Sequence, residues 1–125
     1  MSSDQVLEFL QFVEGQKNQT VRELLDKVLR KSRIMTHAEA GTIFIARKRG
    51  RDRWLEPAST QNDAVKVKRA DFIVPIGPGT IAGHVAHKGR TVLIDDVYDI
   101  PKRSPFKFDP KFERRNYKTH SMFCF

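Results

Sequence analysis

Residues 72–89 read FIVPIGPGTIAGHVAHKG, an apolar run followed by a glycine- and proline-rich turn and then by a short helical pattern. The apolar run at 72–76 predicts a strand, because β-branched and aromatic residues bounded by turn residues are typical of strands. The Gly-Pro-Gly turn at 77–79 delivers the chain into a predicted helix at 80–88, and Gly89 ends that helix. We therefore predict that an inner strand turns directly into a helix here.

The predicted helix at 80–88 carries small residues at Ala82, Gly83 and Ala86. Small residues allow the helix backbone to lie close to another element, either the sheet or a bound molecule. The leading amides of the helix and its dipole would attract an anion or a carbonyl group. The alternative is that Thr80 only caps its own helix and that side chains fill the space.

The composition of the chain sets the scale of the molecule. A length of 125 residues with 39% apolar residues suits one domain with one core. The sequence contains no run of about 20 apolar residues, and its first residues lack the pattern of a signal peptide, so we expect a cytoplasmic protein without a membrane partner. The single cysteine, Cys124, cannot form an internal disulfide, which fits a reducing compartment.

Two helices are predicted before residue 40. Residues 4–14 carry apolar residues at helical spacing, and Leu7 and Phe12 widen the apolar stripe. That stripe either packs in the core or faces a partner chain. Thr20 and Glu23 have the spacing of a capping box and predict a second helix from 21 to 36.

His37 follows the second predicted helix, and we interpret it as a cap residue rather than as a ligand. The apolar run at 42–46 has no polar face, which is typical of a strand covered on both sides, so we expect it at the centre of the sheet. Residues 54–59 are its predicted hairpin partner, where Pro57 requires an edge or a bulge.

The tip of this predicted hairpin is strongly basic. Residues 47–53 read RKRGRDR and account for much of the formal net charge of +8. A charged hairpin tip is usually solvated, and we do not expect nucleic acid to be the main partner. Nucleic-acid binding through this tip and the basic residues of 111–118 is kept as an alternative.

The last third of the chain alternates strands with a long connection. Residues 91–94 predict a short strand, and the connection that begins at Asp95 carries Phe106, Phe108 and Phe112, which predict that it packs down. Residues 119–125 have the composition of a buried strand, so we expect the sequence to stop before its sheet is complete.

Four segments resemble, in order, the GAF domains of bacterial signalling proteins. They are AEAGTIF at 38–44, FIVPIGPGTIAGHVA at 72–86, VLIDDVY at 92–98 and FDPKFERRNYKTHSM at 108–122. The resemblance divides the chain into an amphipathic N-terminal helix and linker at 1–18 and a GAF domain at 19–125. It also implies that the last strands and the C-terminal helix of that domain are missing from the sequence.

A GAF-like fold implies an α+β domain whose central antiparallel sheet carries the N-terminal helices on one face. On the other face, helix 80–88 and the connection at 98–116 would roof a ligand pocket. The resemblance assigns the following residues to that pocket: Phe72, Val74, Ile76, Gly79, Thr80, Ile81, Ala82, Asp95, Phe112 and Thr119.

The function implied by the resemblance is non-catalytic. A small-molecule-sensing regulatory domain would control an attached output domain, such as a metal-dependent phosphohydrolase, a nucleotide cyclase or a kinase, through the geometry of a homodimer formed by the N-terminal helices. No resident cofactor is expected; the ligand would be a small molecule or a nucleotide. The alternative is a dimerisation and signal-relay module with a vestigial pocket.

Several sharper activities of the family lack their residues here. Members that bind cyclic nucleotides carry an Asn-Lys pair and a Phe followed at four residues by Asp-Glu, whereas this sequence has Arg47-Lys48 and, beyond Phe112, Asn116-Tyr117. Bilin attachment needs a pocket cysteine with a neighbouring histidine, whereas Cys124 lies in a predicted strand without that neighbour. Reduction of methionine sulfoxide needs several cysteines, and this sequence has one.

The sequence also offers a weak candidate metal site. His84 and His87 could share a metal with Asp95 or Asp96, but this spacing is common and a solvated histidine pair is the interpretation we prefer.

Overall fold

The computed structural model describes residues 2–15, 20–66, 73–110 and 117–125. The helices of this part of the chain are α1 (Ser3–Glu14), α2 (Val21–Thr36) and α3 (Ile81–Lys88). The strands are β1 (Ala40–Arg49), β2 (Asp52–Asn62), β3 (Val74–Pro75), β4 (Gly79–Thr80), β5 (Val92–Ile94), β6 (Phe106–Lys107) and β7 (Met122–Cys124). The predicted mixed α+β class is therefore confirmed, with an antiparallel three-stranded sheet.

The chain divides into two compact units. The first contains Met1–Phe44 and Pro57–Asp71, and the second contains Ile45–Glu56 and Phe72–Phe125. Both helices of the N-terminal region belong to the first unit, and α3 belongs to the second.

Helix α2 begins and ends where its sequence predicts. The Thr20 hydroxyl accepts a hydrogen bond from the amide of Glu23 at 3.2 Å, which satisfies one amide of the first turn. His37 adopts the left-handed conformation at the C-terminal end, and its amide donates to the carbonyl oxygens of Arg33 and Ile34. The interpretation of His37 as a cap residue is confirmed.

Helix α1 packs along α2 through one of its faces. Lys31 of α2 pairs with Glu8 of α1 at 2.8 Å, and its ammonium group also lies 5.9 Å from the ring centre of Phe12. Phe9 and Phe12 are half-buried. The face of α1 that carries Phe9 and Phe12 therefore packs on α2.

Arg33 fastens the end of α2 to the strands of the first unit. Its guanidinium group donates to the side-chain oxygen of Gln61 and to the carbonyl oxygen of Glu39, both at 2.8 Å, and pairs with Asp63 at 2.6 Å. Earlier along the helix, the Asp26 carboxylate accepts a hydrogen bond from the buried Ser59 hydroxyl at 2.6 Å. These contacts hold α2 against β2.

The three-stranded sheet has the order β1-β2-β3. We predicted β1 at the sheet centre, and this is wrong: β2 is central, and the apolar part of β1 from Ala40 to Ile45 is half-buried. An apolar run without a polar face shows that both faces avoid water, but it does not fix the position in the sheet. β3 pairs only with Trp54 and Leu55, so Pro57 lies beyond the described pairs on that side, where its missing N–H is tolerated.

The core of the second unit is built around α3. Ile81, Ile94 and Val97 are buried together, and Val92, Ile100, Phe106, Phe108, Met122 and Cys124 pack against them. β5 pairs antiparallel with β7, and β4 pairs parallel with β6. In the described residues the strands thus form three sheets rather than the one central sheet that we predicted, because these short strands each pair with a single neighbour over two or three residues.

The last strand is buried on one face only. Met122 and Cys124 are half-buried and pack on the core, whereas Phe123 is 43% exposed, opposite the exposed Leu93. The predicted strand is therefore confirmed, but the prediction that it is buried holds for one face only. Side chains alternate between the two faces of a strand, and the outer face here carries apolar residues as well.

Candidate ligand site around helix α3

The chain enters α3 through a turn that only glycine accommodates easily. Gly77 and Gly79 have φ angles of 149° and 118°, in the region that side chains rarely adopt. The strand β3 before the turn and the helix α3 after it are both present, so the predicted transition from strand to helix is confirmed. The prediction of an inner strand is wrong, because β3 lies at one end of the three-stranded sheet in the described residues.

The backbone of α3 passes very close to this turn. The amide of Gly77 donates to the carbonyl oxygen of Gly83 at 3.1 Å. A Cβ atom added at Gly83 would collide with the carbonyl oxygen of Pro75 and lie 2.7 Å from the Thr80 hydroxyl. The small residue at this position therefore serves contact between the helix and the turn, which is one of the two uses that the sequence left open.

Thr80 caps the helix that it precedes. Its hydroxyl oxygen accepts a hydrogen bond from the amide of Gly83 at 3.0 Å, and its backbone is extended, as expected of an N-cap residue. This amide of the first turn is therefore satisfied within the chain. Of the two alternatives that the sequence left open for Thr80, the structure therefore shows the one in which it caps its own helix.

Residues 95–110 cover the start of α3; we call this segment the strap. Within it, β6 pairs with β4, and the amide of Gly79 donates to the carbonyl oxygen of Pro105 at 3.3 Å. Phe106 lies with its ring centre 5.1 Å from that of His84 on α3. The prediction that Phe106 and Phe108 make this connection pack down is confirmed, and the prediction for Phe112 lies outside the described residues.

The beginning of the strap is held from the other side by residues that follow it. Val97 is 2% exposed, and its amide donates to the carbonyl oxygen of His120 at 2.8 Å. Lys118 places its ammonium group 4.9 Å from the ring centre of Tyr98, which also meets the edge of Phe108. Asp96 accepts a hydrogen bond from the amide of Tyr98 at 2.9 Å, which forms a turn at the start of the strap.

The predicted pocket residues occupy three kinds of environment. Val74 and Ile81 are buried, and the Ile81 side chain lies in the core, packed with Ile94 and Val97. The half-buried positions are Ile76, Thr80, Ala82 and Thr119, and the exposed ones are Gly79 and Asp95. Phe72 and Phe112 lie outside the described residues.

Sequence reasoning missed the aromatic and cationic residues that join the strap to its neighbours. His84 was interpreted as a solvated histidine, with a metal ligand as the alternative, whereas it contacts the ring of Phe106. Tyr98 and Lys118 were not among the assigned pocket residues. The signal that could have found Tyr98 was its position between Val97 and the strap phenylalanines. Nothing in the sequence indicated Lys118.

The two histidines of α3 diverge. His84 faces Phe106, whereas His87 is exposed, and its Nδ1 atom lies 3.4 Å from a guanidinium nitrogen of Arg53. No group of three histidine, cysteine, aspartate or glutamate side chains that could hold a metal ion occurs within the ranges that the structure describes. A shared metal at this helix gains no support.

The hairpin next to α3 has its own electrostatic arrangement. Glu56 accepts hydrogen bonds from the indole N–H of Trp54 at 2.9 Å and from Arg47 at 3.1 Å. These two hydrogen bonds, that of Trp54 first, lower the pKa of the Glu56 carboxyl group. The pKa of the Cys124 thiol is shifted in the opposite direction, because burial raises it.

A broad open depression of about 860 Å³ lies in the first unit, between the end of α2 and the end of β2. Arg33, Gln61 and Asp63, which line it, already bind one another. These three side chains are therefore engaged in holding α2.

No helix among the described residues combines the length and the apolar character needed to cross a bilayer.

Comparison with known proteins adds no relative to these observations. Neither a protein-family model, nor a curated protein, nor a solved structure matches the chain.

Proposed function

We propose that this chain is a GAF-like regulatory domain that senses a small molecule or a nucleotide and controls an attached output domain in cytoplasmic signalling. The observation that carries this proposal is the strap paired to the residues that start α3. Gly79 and Thr80 pair with Phe106 and Lys107, so a helix start and a long connection meet at one place. Long connections that fold over an element in this way are usually functional.

The ligand would lie against the half-buried side of α3. Ala82 is half-buried, and it lies beside Thr80 and Ile81 at the start of the helix. The two buried residues of the predicted pocket wall, Val74 and Ile81, would provide rigid support from the core rather than direct contact. Binding that favours one position of the strap would bias the state of the output domain.

Native mass spectrometry tests the proposal with a matched pair of variants. The chain purified from cells without denaturation is expected to carry a small molecule that leaves on denaturation. Ala82→Trp would fill the proposed space and remove that mass, whereas Lys88→Trp, at an exposed position on another face of the same helix, would retain it. A chain that carries no ligand, and whose melting temperature no metabolite or nucleotide raises, would contradict the sensor function.

We also propose that the sensor acts as a homodimer through α1. Val6, Leu7 and Leu10 are 42%, 55% and 56% exposed, although the other face of α1 already packs on α2. An apolar stripe exposed beside a packed one is typical of a helix with a second partner. A pure dimerisation and relay module would share this feature, and only the ligand measurement separates the two functions.

Light scattering after size-exclusion chromatography tests the dimer. Leu7→Glu with Leu10→Glu is expected to give a monomer, because each buried carboxylate would lose its hydration. Arg22→Gln with Arg30→Gln changes the net charge by the same amount at exposed positions of α2 and should leave a dimer. A wild-type chain that is monomeric at every concentration would overturn the dimer proposal.

A further inference from the structure

The end of the β1–β2 hairpin and the end of α3 carry one continuous set of positive charges. Arg53 of the hairpin lies 3.4 Å from His87 of α3, which brings the exposed residues after His87 next to the hairpin. The set, here called the basic surface, consists of Lys48, Arg49, Arg51, Arg53, Lys88 and Arg90, all of them exposed. The sequence separates these two groups by more than thirty residues, and only the fold unites them.

The charges of the basic surface are not neutralised within the described part of the chain. Arg47 pairs with Glu56 and is therefore not included. The structure shows no ion pair from any member of the basic surface to another described residue, and Asp52 is the one acidic residue in the tip sequence at 47–53. Six cations beside a single carboxylate produce a strong local positive potential.

The shape and chemistry of the basic surface favour a phosphate backbone over other polyanions. Four of its six residues are arginines, whose planar forks bind phosphate oxygens in pairs. From Ala46 to Arg53 every residue is exposed, and the stretch offers no large apolar side chain that could enter a bilayer. The glycine turn at Gly50, with φ of 62°, makes a narrow two-stranded ribbon, and the major groove of B-form DNA admits such a ribbon.

We propose that the basic surface binds double-stranded DNA through its phosphates, with the hairpin tip in the major groove. The end of α3 would contact the adjacent phosphates through Lys88 and Arg90. This binding is independent of the ligand proposed for α3. The hairpin charge alone left nucleic-acid binding as an alternative. The proposal now adds the contribution of the end of α3.

Fluorescence anisotropy with a short labelled DNA duplex tests this proposal on the full chain. We expect binding at 50 mM salt that weakens about threefold per phosphate contact on going to 200 mM salt. Removing three charges with Lys48→Gln, Arg49→Gln and Arg51→Gln should weaken binding at least tenfold at low salt and lower the salt slope by about three units. Lys88→Gln with Arg90→Gln should produce a smaller loss of the same kind.

A matched control removes three charges elsewhere. Arg22→Gln, Arg30→Gln and Lys66→Gln change exposed residues of the first unit and should leave DNA affinity within about twofold, with circular dichroism confirming the fold of every variant. Equal losses in both triple variants would show attraction by net charge and overturn the proposal. Tighter binding to an RNA duplex or to phosphatidylserine vesicles than to DNA would also overturn it.

Discussion

Gly83 is the point at which α3 comes closest to the turn that precedes it. Helix propensity alone predicts that Gly83→Ala stabilises the helix by about 1 kcal/mol. The added Cβ would instead collide with the Pro75 carbonyl oxygen and crowd the Thr80 hydroxyl. We expect a net loss of about 2 kcal/mol in the free energy of unfolding, measured in urea. Ala86→Gly, on the exposed side, is the control and should cost only the propensity difference; a more stable Gly83→Ala protein would contradict the close packing.

Glu56 provides a test of the hydrogen bonds in the hairpin. Its folded-state pKa is lowered, so its contribution to stability is present above the usual glutamate value of 4.5 and is lost as pH falls through the lowered pKa. Trp54→Phe removes the hydrogen bond that lowers this pKa most and should raise the pKa of Glu56 towards 4.5, as followed by NMR titration of the glutamate side chain. An unchanged titration of Glu56 in Trp54→Phe would contradict the role of the indole N–H.

Arg33 fixes the end of helix α2 to residues next to the start of β1 and at the end of β2. Its side chain is 11% exposed and binds Gln61, Asp63 and the carbonyl oxygen of Glu39. Arg33→Met should cost about 1–2 kcal/mol in the free energy of unfolding, since it removes three hydrogen bonds while the exposed Asp63 carboxylate regains contact with water. Arg33→Lys keeps the charge but loses the fork and should recover only part of that loss. Arg22→Met, exposed on the same helix, should change stability by less than about 0.5 kcal/mol.

Strand β7 can be tested by comparing its two faces. Met122 packs on the core, whereas Phe123 points to the outer face. Met122→Ala should therefore lower the free energy of unfolding by about 2 kcal/mol, and Phe123→Ala by less, although phenylalanine is the larger side chain. The reverse order in urea titrations would mean that the register of β5 and β7 is shifted by one residue.

The elements differ in how far sequence predicts them, and the difference follows the range of the interactions. The signals for α2 are local: Thr20 and Glu23 lie one turn apart, and the helix bounds follow from them. The position of β1 depends on which strands flank it, and its apolar run carries no information on that. The same holds for the candidate site, where the turn into α3 was predictable from Gly77 and Gly79. The burial of Ile81 depends on Ile94 and Val97, and the contact of His84 depends on Phe106.

At the scale of the molecule, net charge is the dominant electrostatic property. The sequence has 23 basic and 15 acidic residues, a difference of +8. Like charges repel in the compact state, so added salt should stabilise the fold. We expect the urea midpoint to rise between low salt and 0.15 M salt, a concentration at which screening acts over about 8 Å. A falling midpoint would mean that ion pairs such as that of Arg33 with Asp63 outweigh the repulsion, and the triple variant of the hairpin tip should show a smaller rise than the wild type.

Gly79 and Thr80 serve two elements at once, as the strand that pairs with the strap and as the cap of α3. A strap that swings outwards must break the β4–β6 pairing, and the backbone of Thr80 then loses the partner that fixes it in the capping conformation. Outward movement of the strap and fraying of the first helical turn would consequently be a single cooperative event. In hydrogen–deuterium exchange, the amides of Gly79 and Gly83 should then acquire deuterium at one common rate. A ligand that holds the strap in place should slow the exchange of both amides together.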